Sequence, residues 1–302
     1  MQFDLFPAPP LDTKADAELA SKRPPNLFIG TSSWTFRGWA GLVYRGNPTQ
    51  EYLTQFGLEE YAKHPLFNTA GIDRSYYAPL SVDDFAAYAK QLPNGFRCAM
   101  KVWKAITNPA SPQYLDAAFF KDAVLAPADK AFAGHLGPLL FQLPPLAPQQ
   151  IPGAADFAFR LDRFFSKLPP GLECAVEVRN PEMMSAQYFT ALKRNNVAHI
   201  FNHWERTPSL AAQLSLPGSL TASHVVTRLM LPQGLGYETA REAFAPFDRI
   251  QSRDDTMRAD VAELWRRCVS TNRSLWILVG NKAEGCSPLT VRGVLERLVA
   301  AG

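Results

Sequence analysis

Short apolar runs of strand length alternate along this chain with longer stretches whose apolar residues recur at helical spacing. Eight runs have strand character: 27–33, 67–73, 96–102, 138–143, 173–178, 197–202, 224–230 and 275–281, each with polar residues at or near its end. Between them, Phe157, Leu161, Phe164, Phe165 and Leu168 fall on one helical face, and Met257, Val261, Leu264, Trp265 and Cys268 repeat the same spacing. Val291, Val294, Leu295, Leu298 and Val299 predict a closing helix. Val82, Phe85, Ala86 and Ala89 predict another, with Ser81 as its N-cap and Asp84 in its first turn.

One-faced helices need a sheet to cover, and strands that regularly alternate with such helices run parallel. Eight strand–helix units over residues 27–302 therefore predict a single α/β domain with the TIM-like (β/α)8 barrel architecture. A doubly wound sheet would want a glycine-rich first turn. GTSSWTFRGW, which follows the first strand, does not supply one.

Residues 1–26 stand outside this rhythm. Five prolines (Pro7, Pro9, Pro10, Pro24, Pro25) bracket a charged, Ala-rich segment, which predicts a mobile tail with a transient helix. Three connections exceed what a minimal barrel needs. The aromatic-rich segment 34–48 is a candidate lid or pocket wall, 103–138 should hold two helices with the second starting at Pro127, and 231–254 is irregular enough to cover a pocket.

Composition changes this picture little. Thirty-one Lys and Arg against 28 Asp and Glu give +3, too mild a balance to argue nucleic-acid binding. Cys98, Cys174, Cys268 and Cys286 lack Cys-x-x-Cys spacing, so a reduced, cytoplasmic protein is expected. No export signal or membrane-length apolar run is evident in the sequence.

The candidate chemistry lies at the carboxyl ends of the predicted strands. Listing them gives Ser33 and Trp34, Asp73 with Tyr76 and Tyr77, Lys101, Gln142, Glu177 with Arg179, Asn202 with His203, Arg228, and Asn281 with Lys282. In a barrel these ends ring one mouth, and the excess of cations suits a ligand bearing phosphate or carboxylate. Two roles fit Glu177: a general acid or base, or a structural counter-charge for Arg179 or Lys101. Lys101 fits an anion clamp or ion-pair partner, and a Schiff-base nucleophile if its neighbours depress its pKa. Asp73 fits either an orienting base or a cap on the next turn, and Gln142 a ligand donor or a local hydrogen-bonding group. Only His203 among the histidines sits at a strand end, so neither a metal nor another cofactor is predicted.

These residues also carry a resemblance. The stretches IGTSSWTFRGWAGLVY (29–44), FNTAGIDRSYYAPL (67–80), FRCAMKV (96–102), LGPLLFQLPP (136–145) and VEVRNP (176–181), with the region around Asn281, are similar to the YecE-like barrels, the family of domain of unknown function 72. The resemblance implies a TIM-like barrel and brings no activity with it. It highlights Gly30, Trp34, Trp39, Tyr77, Lys101, Gln142, Pro144, Glu177, Arg179, Arg228 and Asn281. It also places Lys282 and Glu284, of the run NKAEG, near the rim. One departure matters: many members resemble Glu-apolar-Asn-x-x-Phe-Tyr after the second strand, where this chain has Gly71, Ile72, Asp73, Arg74, Ser75, Tyr76 and Tyr77. A mechanism relying on that Glu does not transfer.

Two functions are expected from different classes. The first is an enzyme of hydrolase, lyase or isomerase type acting on an anionic sugar-like or nucleotide-like substrate. Glu177 would serve as acid or base, Lys101, Arg179 and Arg228 as charge-stabilising groups, Gln142 and Asn281 as orienting donors, and Trp34, Tyr76 and Tyr77 as stacking surfaces. The second is a ligand-binding accessory protein of DNA replication or repair. It rests on Gln2, Asp4, Leu5 and Phe6, whose order resembles the short peptide that binds bacterial sliding clamps; the alternative for the same residues is a hydrophobic latch onto their own barrel.

Overall fold

The computed structural model describes residues 10–300, and all eight predicted runs are strands in it. They are β1 (Leu27–Thr31), β2 (Thr69–Ile72), β3 (Arg97–Lys101), β4 (Leu136–Gln142), β5 (Cys174–Glu177), β6 (Ala198–His203), β7 (His224–Leu229) and β8 (Ser274–Val279). Each pairs in parallel with its sequence neighbour. The ring closes between β1 and β8, where Leu27 pairs with Leu275, so the TIM-like (β/α)8 architecture is established.

Alternate residues of each strand point inward, and those around the middle of the barrel are apolar, three of them alanines: Ala99, Ala175 and Ala198, with Leu140, Ile200, Val226 and Leu278. Small side chains on several strands leave room at the axis, and Trp276 fills it, stacked on Phe28 with ring centroids 3.9 Å apart. Below this plug Arg97 pairs with Glu173 at 2.5 Å. Above it, towards the carboxyl ends of most strands, the inward positions turn polar. That change of character at the carboxyl ends makes the mouth.

The helices form where the apolar spacing predicts them: Val82–Ala89, Ala154–Phe165, Asp255–Ser270 and Ser287–Ala300. Ser81 and Asp84 form a reciprocal capping box at the first of these. The second helix of the 103–138 segment does not start at Pro127. Ala117–Phe120, a π-turn at Lys121–Leu125 and Ala126–Phe132 run on as one helical stretch, and the wider turn just before Pro127 fits a residue that has no N–H to donate.

Within the segment expected to be a mobile tail, Lys14–Ser21 is a helix docked on Ser287–Ala300. Asp16 explains the docking. It is buried, receives a hydrogen bond from Arg292 Nη2 at 2.8 Å and lies 3.7 Å from His64, a set of partners that local composition does not reveal. Gln2, Leu5 and Phe6 lie outside the described residues. Among the described residues no helix is long and apolar enough to cross a membrane.

Candidate functional site

Glu177 is the centre of the mouth. It ends β5 facing inward and is fully buried, and burial alone would raise its carboxyl pKa. Arg228, Arg179 and Lys101 outweigh that and hold it down at about 2, so Glu177 is an anion at any ordinary pH. Both oxygens are engaged. Oε1 accepts from Arg179 Nε (2.9 Å) and Asn202 Nδ2 (3.0 Å), and Oε2 accepts from Arg228 Nη1. A carboxylate so held has no proton to donate and little basicity to offer, so the counter-charge role fits it better than acid or base.

Arg228, from β7, is only 1% exposed. Its Nη1 also donates to Gln142 Oε1 at 2.9 Å, which makes Gln142 an acceptor for the arginine. Its Nε and Nη2 find no hydrogen-bond partner among the described residues. Arg179 stacks its guanidinium over Trp204, 4.8 Å from the ring centroid. Asp73 and Lys101 occupy the next register positions beyond Ile72 and Met100, which are paired across β2 and β3. Lys101 Nζ lies 3.1 Å from Asp73 Oδ1 and 5.5 Å from the Tyr76 ring centroid. The Asp73 side chain makes no cap on the turn that follows, so its charge is directed at the lysine. Burial and the nearby Arg228 lower the Lys101 pKa, against the opposing pull of Asp73 and Glu177.

Tyr77 stands exposed beside Tyr76, ring centroids 5.4 Å apart, with Lys104 over its face. Lys282 lies 4.1 Å from the centroid of Tyr237, on the 231–254 connection.

Several expected members are used otherwise. Trp34 is buried edge-on to Tyr88 at 5.5 Å, against the helices after β1 and β2, and is not brought to the Glu177 cluster. Asn281 is a tether: its Oδ1 accepts from Trp39 Nε1 (3.1 Å) and from the Ser287 amide and hydroxyl (2.9 and 2.6 Å). Through Asn281 the 34–48 segment is bound to the last helix, with Trp39 and Tyr44 fully buried, so that segment is a packed shoulder of the barrel.

Glu284 is not at the rim. It is buried, and Arg258 donates to both its oxygens at 2.9 and 2.7 Å. His203 also leaves the mouth, its Nε2 lying 3.4 Å from Asp254. Among the described residues no three His, Cys, Asp or Glu side chains gather as metal ligands. A cavity of about 1240 Å³ lies beside the helix Gln50–Lys63, lined by Leu11, Tyr52 and His64 among others, and includes none of the mouth residues. Trp204 and Tyr237 escaped the sequence reading. Trp204 stands one residue past the last position considered on its strand, and Tyr237 sits in an irregular connection whose path the pattern does not specify.

A closed parallel barrel of eight strands, with buried, paired charges at its carboxyl ends, places the chain in the class of TIM-like barrels. The chain belongs to the family described as protein of unknown function DUF72, whose model matches residues 28–302. Two crystal structures of DUF72 family proteins share the fold. One, from Enterococcus faecalis V583, is 18% identical with a TM-score of 0.63 and covers 89% of this chain and 95% of its own. The other, from Thermotoga maritima MSB8, is 18% identical with a TM-score of 0.60 and covers 89% and 99%. No curated protein sequence matches the chain.

Proposed function

We propose that the mouth binds an anionic, sugar-like or nucleotide-like small molecule and that the protein is an enzyme acting on it by acid–base chemistry, as a hydrolase, lyase or isomerase. The observation that carries this reading is the Arg228 guanidinium, buried yet with Nε and Nη2 unmatched by any acceptor in the described protein. Unmatched N–H groups on a buried cation are costly, and a ligand oxyanion would satisfy two of them at once. Arg179 adds a second guanidinium held on the same carboxylate, and Tyr76 and Tyr77 offer ring faces to a flat or sugar-like body. Glu177, Gln142 and Asn202 orient the arginines. Lys101 with Asp73 is the pair able to move a proton, because its lysine is destabilised as a cation and its carboxylate is bound on one side only.

Calorimetric titration with inorganic phosphate, sugar phosphates and nucleoside monophosphates tests this. At least one should bind, and Arg179→Gln should weaken it roughly tenfold or more, as expected for a charge-assisted hydrogen bond lost. If no member of the panel binds, or if Arg179→Gln leaves affinity unchanged, the reading fails.

A second reading, recruitment to a bacterial sliding clamp as a DNA replication or repair accessory, is supported by the order Gln2-x-Asp4-Leu5-Phe6.

A further inference from the structure

Resting on the reading of the mouth as an anion site, we propose that Lys101 is a nucleophile that forms an imine with a small carbonyl compound carrying an anionic group.

The geometry sets Lys101 apart from the other cations. Glu177 is bound by Arg228, Arg179 and Asn202, and an arginine cannot form an imine under these conditions. Lys104 and Lys282 lie over the rings of Tyr77 and Tyr237. Lys101 is the primary amine that stands inside the cluster. Its side chain is 12% exposed, and its one acidic contact is Asp73 at 3.1 Å. One layer below Lys101 and Asp73 on the same two strands lie Ala99 and Gly71, which pair in register. This floor offers the ammonium no hydrogen-bonding side chain, and Leu140 and Ala175 extend the apolar layer around the barrel. Arg228 is a like charge near Lys101, and its Nε and Nη2, buried without a partner among the described residues, are the donors left for the anionic end of a substrate. These surroundings lower the Lys101 pKa and so make it easier to free the amine that attacks a carbonyl.

The step balances without an added reactant. The Lys101 ammonium gives a proton to Asp73, and the nitrogen lone pair attacks the carbonyl carbon as the C=O π pair moves onto oxygen. One proton then passes from nitrogen to that oxygen to give the carbinolamine. Asp73 returns the first proton to the hydroxyl, the C–O bond breaks and water leaves, and the nitrogen pair closes the C=N bond. Ammonium plus carbonyl has become iminium plus water. The iminium is an electron sink for the cleavage or proton abstraction that a lyase or isomerase performs.

The full-length protein would be incubated with pyruvate, dihydroxyacetone phosphate or glyceraldehyde 3-phosphate in the presence of cyanoborohydride, and adducts mapped by peptide mass spectrometry. The expected result is one reduced adduct, on Lys101, saturating with one of these probes. It should be abolished by Lys101→Arg, which keeps the charge beside Asp73, and slowed at least tenfold by Asp73→Asn. Labelling of the exposed Lys193 at the rate of Lys101 would overturn the proposal. So would the absence of any Lys101 adduct in wild-type protein that still binds inorganic phosphate, an outcome that leaves the anion site standing. Absence of both adduct and anion binding would remove the two readings together.

Discussion

A fully buried carboxylate with a pKa near 2 is a statement about stability as well as charge. The ordinary value is 4.5, so the Glu177 contribution is fully present above that pH and is lost as the pH falls from about 4.5 toward 2. His199 acts earlier. Burial among Tyr188, Gln213 and Phe201 lowers its pKa from 6.5 to about 4, so its neutral form stabilises the fold above 6.5 and that support fades between 6.5 and 4. Wild-type protein should therefore weaken in two stages on acidification. Glu177→Gln should shrink the lower stage, leaving the part that Asp84 and Asp254 contribute, and, at neutral pH, cost about 3 to 5 kcal/mol, because Arg228 and Arg179 would keep their charges without the counter-charge. Thermal or urea unfolding between pH 7 and 3 checks both parts. A variant as stable as wild type at pH 7 would show that the arginines do not depend on this carboxylate.

At the scale of elements, the second strand explains how this chain departs from its family's motif. Position 71, where the resemblance would place a Glu, is Gly here, and a Cβ on Gly71 would stand 2.6 Å from the Ser32 carbonyl oxygen. β1 and β2 approach closely at this point, and the Tyr61 hydroxyl bridges them, accepting from the Thr31 amide at 2.8 Å and donating to the Thr69 carbonyl at 3.1 Å. The carboxylate of this strand sits instead at Asp73, two residues on and facing the same way, where it reaches Lys101. Restoring the family residue by Gly71→Glu should destabilise the protein by about 1 to 3 kcal/mol, since backbone must shift to admit even the Cβ. Chemical denaturation of that variant measures it, and unchanged stability would mean the two strands part easily.

For the molecule as a whole, the clamp reading predicts a partner outside the barrel. A peptide of residues 1–10 should bind a purified bacterial sliding clamp with a Kd in the micromolar range, about what two apolar anchors support, and replacing Leu5 and Phe6 by Ala should abolish it. Fluorescence anisotropy decides the matter. Equal binding by both peptides, or none by either, would leave the barrel mouth as the sole basis for a function.

The sequence determined the barrel, because hydrophobic period is a local property: strand and helix spacing, eight times over, leaves few ways to bury every apolar face. It also pointed to several residues that the structure gathers at the mouth, Asp73, Lys101, Gln142, Glu177, Asn202 and Arg228, since the end of a parallel strand can be read from where its apolar run stops. It did not determine what those residues do there. Whether Asn281 faces a ligand or ties Trp39 to Ser287, and whether Glu284 lies at the rim or under Arg258, depends on partners tens to hundreds of residues away. The same holds for the helix Lys14–Ser21, which reads as a tail until Arg292, 276 positions on, is brought beside Asp16. Charge pairing in a buried site is long-range in sequence and short-range in space, so only the tertiary structure could assign it.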